Sequence, residues 1–116
     1  MPIIELSATG LTPSFFKSKA NKWVKTQGLV DLQVNGFAGV DFNSPGLSSD
    51  SLQLALEAML TTGVTPCLPT VITESEIHLR ECLSALEKAR NSSPVAKTMV
   101  AGYHLEGPFL SKLPGY

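Results

Sequence analysis

Gly28-Leu29-Val30-Asp31-Leu32-Gln33-Val34-Asn35-Gly36 alternates apolar and polar side chains and stops at a glycine. Alternation at period two marks a strand, and the closing glycine marks the turn that follows. Regular alternation puts Asp31, Gln33 and Asn35 on one face, with Leu32 and Val34 on the other. Carboxylate and carboxamide groups in such a row are unfavourable inside an ordinary core. They fit a sheet edge, a solvated surface, or a place where polar groups converge on a site.

Outward from this strand the pattern repeats, with helices between. Residues 43–49 form a loop rich in Pro, Gly and Ser. A helix is predicted from about Asp50, with Leu52, Leu56, Met59 and Leu60 at helical spacing and Gly63 as its stop. A second strand is predicted over 65–72. Thr73-Glu74-Ser75-Glu76 reads as a capping box, the Thr73 hydroxyl accepting from the Glu76 amide. Leu79, Cys82, Leu83, Leu86 and Ala89 then form the buried stripe of a second helix. After the Asn91-Ser92-Ser93-Pro94 break, a third strand is predicted over 98–105. There His104 and Glu106 share a face while Leu105 points the other way. A glutamate at a strand end, before a Gly-Pro turn, is where α/β folds place catalytic and metal-binding groups. The competing reading is a carboxylate that is merely solvated.

The order is β-α-β-α-β, with parallel strands and helical crossovers, the strands starting about 36 and about 33 residues apart. A (β/α)8 barrel of about 250 residues uses about 31 per unit. The pattern alone admits a barrel or a doubly wound sheet. Ahead of the strands, Thr12-Pro13-Ser14 reads as the start of a short helix that aligns Phe16, Ala20 and Trp23. An amphipathic targeting helix or a cover helix would both fit that stretch.

With 116 residues the chain holds at most one domain, and 43% apolar with 16% charged residues suits a globular core. A formal net charge of −1 argues against nucleic acid or an anionic membrane surface as partner. No apolar run reaches the length of a membrane span, and the first residues lack a secretory pattern. Cys67 and Cys82 have no metal-ligand spacing, and two reduced buried thiols suit a cytoplasmic protein.

Taken together, Asp31-Leu32-Gln33-Val34-Asn35-Gly36, Gly39-Val40-Asp41-Phe42-Asn43, Leu68-Pro69-Thr70-Val71-Ile72-Thr73 and His104-Leu105-Glu106-Gly107-Pro108-Phe109 resemble the N-acetylglucosamine-6-phosphate deacetylases of the amidohydrolase superfamily. The resemblance runs from Gly28 to the last residue. It implies the first three strands and two helices of an amidohydrolase-type (β/α)8 barrel over 28–116. Residues 1–27 form an N-terminal segment without the family's usual β-sandwich.

The resemblance implies hydrolysis of a sugar acetamide and makes Glu106 the metal-ligating residue. Many amidohydrolases carry His-x-His on the first strand; here Gln33 and Asn35 stand there. Neutral amides are poor ligands beside imidazole, so one divalent metal ion, zinc or iron, is implied rather than two. It would be held only once the rest of the barrel is supplied. Gln33 and Asn35 become candidates for orienting water or substrate, although Asn35 could equally cap the turn at Gly36. His104 and Asp31 are expected in a supporting shell behind the ligands, with a structural hydrogen-bonding role as the alternative. The family's two metal histidines and its general acid-base aspartate belong to strands beyond Tyr116. The chain thus reads as incomplete, with no catalytic residue of its own. The implied substrate is a phosphorylated amino sugar, and full-length members are expected to be homo-oligomers. The alternatives are an inactive remnant, a split half-barrel that needs a partner chain, or another amidohydrolase.

Overall fold

The computed structural model describes residues 14–17, 23–26, 28–109 and 112. Its first elements form an antiparallel pair. β1 (Ser14–Lys17) runs against β2 (Trp23–Thr26), with Ser14 opposite Thr26 and Lys17 opposite Trp23. The helix expected through Phe16 and Trp23 is therefore corrected; Thr12, Pro13 and Ala20 lie outside the described residues. Phe15, Phe16, Trp23, Val24 and Thr26 are aromatic or β-branched, and their strand preference outweighs one Thr-Pro start signal.

From Leu29 on the expected alternation is present, with two additions, a short antiparallel hairpin after the first strand and a short helix before the last. The elements are β3 (Leu29–Val34), β4 (Gly36–Phe37), β5 (Val40–Asp41), α1 (Ser49–Thr61), β6 (Val64–Val71), α2 (Glu76–Ser92), α3 (Pro94–Met99) and β7 (His104–Leu105). β3, β6 and β7 make a parallel sheet in that order, with β6 in the centre.

α1 starts where the Ser48 hydroxyl accepts from the Ser51 amide, and it ends ahead of Gly63, whose φ is +90°. Its buried side is Leu52, Ala55, Leu56, Met59 and Leu60. α2 is capped by Ser75, whose hydroxyl accepts from the His78 amide, so the expected Thr73 cap is corrected. Thr73 is committed elsewhere: its hydroxyl donates to the Glu106 carbonyl. α2 buries Leu79, Cys82, Leu86 and Ala89.

The third strand starts later than expected. Residues 94–99 form α3, capped by Ser93 with Pro94 in its first turn, the usual helix-start pairing of cap and proline. Sheet contact begins only at Val100, which bridges Cys67, and regular pairing is confined to His104 and Leu105. The core between sheet and helices is mainly apolar, with Leu52, Leu56, Met59, Cys67, Val71, Leu86 and Met99 all at 0% exposure.

One irregularity shapes the site. β3 and β6 pair as Asp31 with Cys67 and Val34 with Pro69, so β3 carries an extra residue between those pairs. The Asp31 carboxylate accepts from the Gln33 amide, 3.1 Å away, which stabilises the local bend. The regular face alternation expected for this strand is broken there. Val34 turns into the core at 6% exposure while Leu32 stays 65% exposed.

Candidate functional site

The C-terminal ends of the parallel strands gather around the tip of β6. Thr70, fully buried, accepts the Val34 amide on its hydroxyl and donates that hydroxyl to the Leu68 carbonyl. The Thr70 carbonyl accepts from the Asn43 side-chain amide at 3.0 Å, and Asn43 Oδ1 accepts the Ile72 amide at 2.8 Å. One carboxamide thus caps the end of β6 from the loop after β5. Asn43 is itself oriented by its own backbone amide, which donates to the Asp41 carboxylate at 2.8 Å.

Between β3 and β4, the Asn35 carbonyl accepts the Phe42 amide at 3.0 Å, closing the short β4–β5 hairpin against the strand end. That hairpin needs Gly36: a Cβ there would lie 2.4 Å from the Val40 carbonyl oxygen. Its turn passes through Ala38 and Gly39 at φ +50° and +82°, the positive values a tight hairpin turn requires.

Glu106 follows β7 directly. Its backbone amide donates to the Val71 carbonyl at 2.9 Å, its carbonyl accepts the Thr73 hydroxyl at 2.8 Å, and its Oε2 accepts the Gln33 side-chain amide at 3.3 Å. Gln33 and Glu106 therefore meet across the tip of the sheet. Asn35 sits at the end of the same strand as Gln33 but is not in this contact. His104 Nδ1 lies 3.4 Å from the Thr70 hydroxyl, beside the hub of the strand ends. Asp31 stays on its own strand, beside Cys67. That thiol is pushed up to about 12 by burial first and by the Asp31 charge second. Burial thus keeps Cys67 a neutral thiol within the core.

Asn43, Thr70 and Thr73 carry most of these contacts, Gly107 leaves room for Thr73 beside Glu106, and residue types taken one strand at a time undervalue all four. The signal for Asn43 was its place two residues after Asp41, the spacing of a side-chain turn. For Gly107 it was the Glu-Gly-Pro run itself. Among the described residues, no three His, Cys, Asp or Glu side chains converge to hold a metal ion. The present residues do not by themselves fit such an ion, since Glu106 offers one carboxylate and Gln33 a neutral amide. A cleft of about 690 Å³ lies elsewhere, between the loop at 45–47 and the Arg80, Glu81 and Ser84 side of α2. None of the strand-tip residues lines it. No helix among the described residues is long and apolar enough to cross a membrane.

No family profile matches the chain. An N-acetylglucosamine-6-phosphate deacetylase of Haemophilus influenzae is 36% identical over 86 residues, covering 74% of this chain and 22% of its own length. An N-acetylgalactosamine-6-phosphate deacetylase of Shewanella sp. is 36% identical over 85 residues, covering 72% and 20%. The crystal structure of N-acetylglucosamine-6-phosphate deacetylase from Pasteurella multocida superposes with a TM-score of 0.61 at 34% identity, over 73% of this chain and 21% of that one. The chain is related to one segment of the N-acetylglucosamine-6-phosphate deacetylases. It spans about a fifth of the length of the curated relatives it matches. The strand tips described above lie within the part of this chain that carries the deacetylase resemblance.

Proposed function

We propose that this segment supplies the Glu106-bearing strand ends of a (β/α)8 deacetylase that hydrolyses the acetamide of N-acetylglucosamine 6-phosphate. Water and the amide give acetate and glucosamine 6-phosphate. The observation that carries this reading is the meeting of Gln33 and Glu106, 3.3 Å apart at the tips of parallel strands. In barrels that is the end where chemistry is done.

Glu106 is the residue here that would ligate a divalent ion, zinc or iron. Held together with ligands from further strands, such an ion would supply a water acidified toward neutrality. The chain's own residues prepare the ground for this. Gln33 holds one carboxylate oxygen of Glu106 and has a carbonyl oxygen left to orient a water or a substrate group. Asn35, at the same strand end, would be the second group to orient water or substrate. His104, beside the Thr70 hydroxyl, would back the strand ends, and Asp31 would steady Gln33 through the bend of β3. The remaining ligands and the acid-base group would come from further strands. β3 is an edge of the sheet and leaves Leu29, Val30 and Leu32 at 55%, 60% and 65% exposure, apolar surface that such strands would cover. Those strands belong either to the same polypeptide or to a partner chain.

The test is acetate release from N-acetylglucosamine 6-phosphate by the 116-residue chain, and by the chain mixed with the C-terminal barrel portion of a deacetylase. N-acetylgalactosamine 6-phosphate is run in parallel, because a relative is named for that epimer. Release from the mixture alone, abolished by Glu106→Gln, is expected. Strong metal-dependent release from the unmixed chain would overturn the need for further strands. Failure of every mixture would sink the enzymatic reading in favour of a remnant.

A further inference from the structure

Glu106 is gripped at its backbone as well as at its carboxylate. Its amide donates to Val71 at the end of β6, and its carbonyl accepts the Thr73 hydroxyl just beyond that strand. Fixing both peptide groups around one Cα leaves the side chain only its own χ rotations. Gln33 then settles the carboxylate. Thr73 also sits where no side chain could follow Glu106. A Cβ on Gly107 would lie 2.0 Å from Thr73 Oγ1, and Gly107 holds a φ of +87°. The hydroxyl and the glycine form one fitted pair, 33 residues of chain from Thr73 to Glu106. Thr73 has no other assignment, since Ser75 caps α2.

We propose that Thr73 is the positioning residue for Glu106: its hydroxyl, wedged against Gly107, sets the Glu106 backbone so that the carboxylate meets Gln33. This rests on the reading of Glu106 as the reaction's carboxylate. Its test, however, needs no catalysis, so it stands or falls apart from the acetate assay.

The side-chain amide protons of Gln33 report the contact directly by nuclear magnetic resonance of the 116-residue chain. Glu106→Gln identifies the signal, because it removes the charged acceptor. In the native chain one of these protons is expected downfield of the other glutamine amides. Thr73→Val keeps the shape but removes the hydroxyl, and the downfield displacement should be lost. Thr73→Ser keeps the hydroxyl without the methyl group, and should retain it. Leu86→Ala weakens the distant core and should leave the displacement in place, which separates positioning from general loss of stability. If Thr73→Val does not fold, Thr73→Ala repeats the removal with a smaller side chain. A displacement that survives removal of the hydroxyl in a folded variant would overturn the proposal. So would its loss in Thr73→Ser.

Discussion

The middle and the C-terminal tip of β6 live under different physics. In its middle the strand belongs to the buried apolar cluster, where Cys67 joins Leu56, Leu86 and Met99. At its tip the contacts become directional, made by Asn43, Thr70 and Thr73 through single hydrogen bonds. The apolar stretch supplies most of the stability, because each fully buried aliphatic side chain contributes about 1.5–3 kcal/mol. A hydrogen bond contributes about 0.5–1.5 kcal/mol net, but it fixes direction. The core holds the fold, and the tip holds the carboxylate.

Leu56→Ala should break the first half of that contrast most severely. It hollows a fully buried site and should lower unfolding stability by about 2–5 kcal/mol in denaturant titration. The Gln33 amide signal should persist as long as the variant folds. An equally large loss of that signal would show that core and tip are not separable.

Alkaline pH probes the same core through Cys67. The thiol ionises near 9.0 in the unfolded chain but only at about 12 when buried. Its contribution to stability is therefore complete below about pH 9 and is lost as pH rises toward about 12. A thiol reagent at pH 8 should label the folded chain slowly and the unfolded chain at once. Rapid labelling of Cys67 in the folded chain would contradict the burial.

At the tip, Gly107→Ala should cost about 1–3 kcal/mol, from the positive φ and from the collision with Thr73. The Gln33 signal should vanish with it. Asn43→Ala should cost about 1–3 kcal/mol by leaving the Ile72 amide and the Thr70 carbonyl without that carboxamide. Exchange of the Ile72 amide with solvent should speed up in step. At the small end, Arg80→Ala removes an ion pair whose side chains are both 78% exposed. It should change stability by less than about 0.5 kcal/mol and leave the tip untouched.

Much of this was readable from residue order. The stripe Leu52-Leu56-Met59-Leu60 falls on the buried side of α1, and Leu79, Cys82, Leu86 and Ala89 of the expected α2 stripe are buried with Leu83 half-buried, because helical periodicity survives without any tertiary information. The parallel order of β3, β6 and β7 follows from the intervening helices. What escaped depended on partners far along the chain. Thr73 looked like a cap because the capping pattern is local, whereas its true acceptor is 33 residues away. The face of β3 was misjudged past Asp31, since an extra residue in the register is invisible to a period-two count. Ser93-Pro94 reads as a break in the chain but is also the start signal of α3. In the candidate site, Glu106 and Gln33 could be named from the resemblance and the strand pattern, but their contact could not. It depends on how three strands stack in register.

Loop closure gives the central position of β6 a kinetic consequence. Gln33 and Glu106 lie 73 residues apart and belong to segments that never pair with each other. Each parallel pairing must first close a loop of some thirty to forty residues, as Asp31 with Cys67 and Thr70 with His104 illustrate. Such long-range closures are slow compared with helix formation, so α1 and α2 are expected to form before the carboxylate finds its amide. Conversely, a fluctuation that frees only β6 would part the two side chains while leaving both helices wound. The proximity of Gln33 and Glu106 is thus a late product of folding and an early casualty of strain.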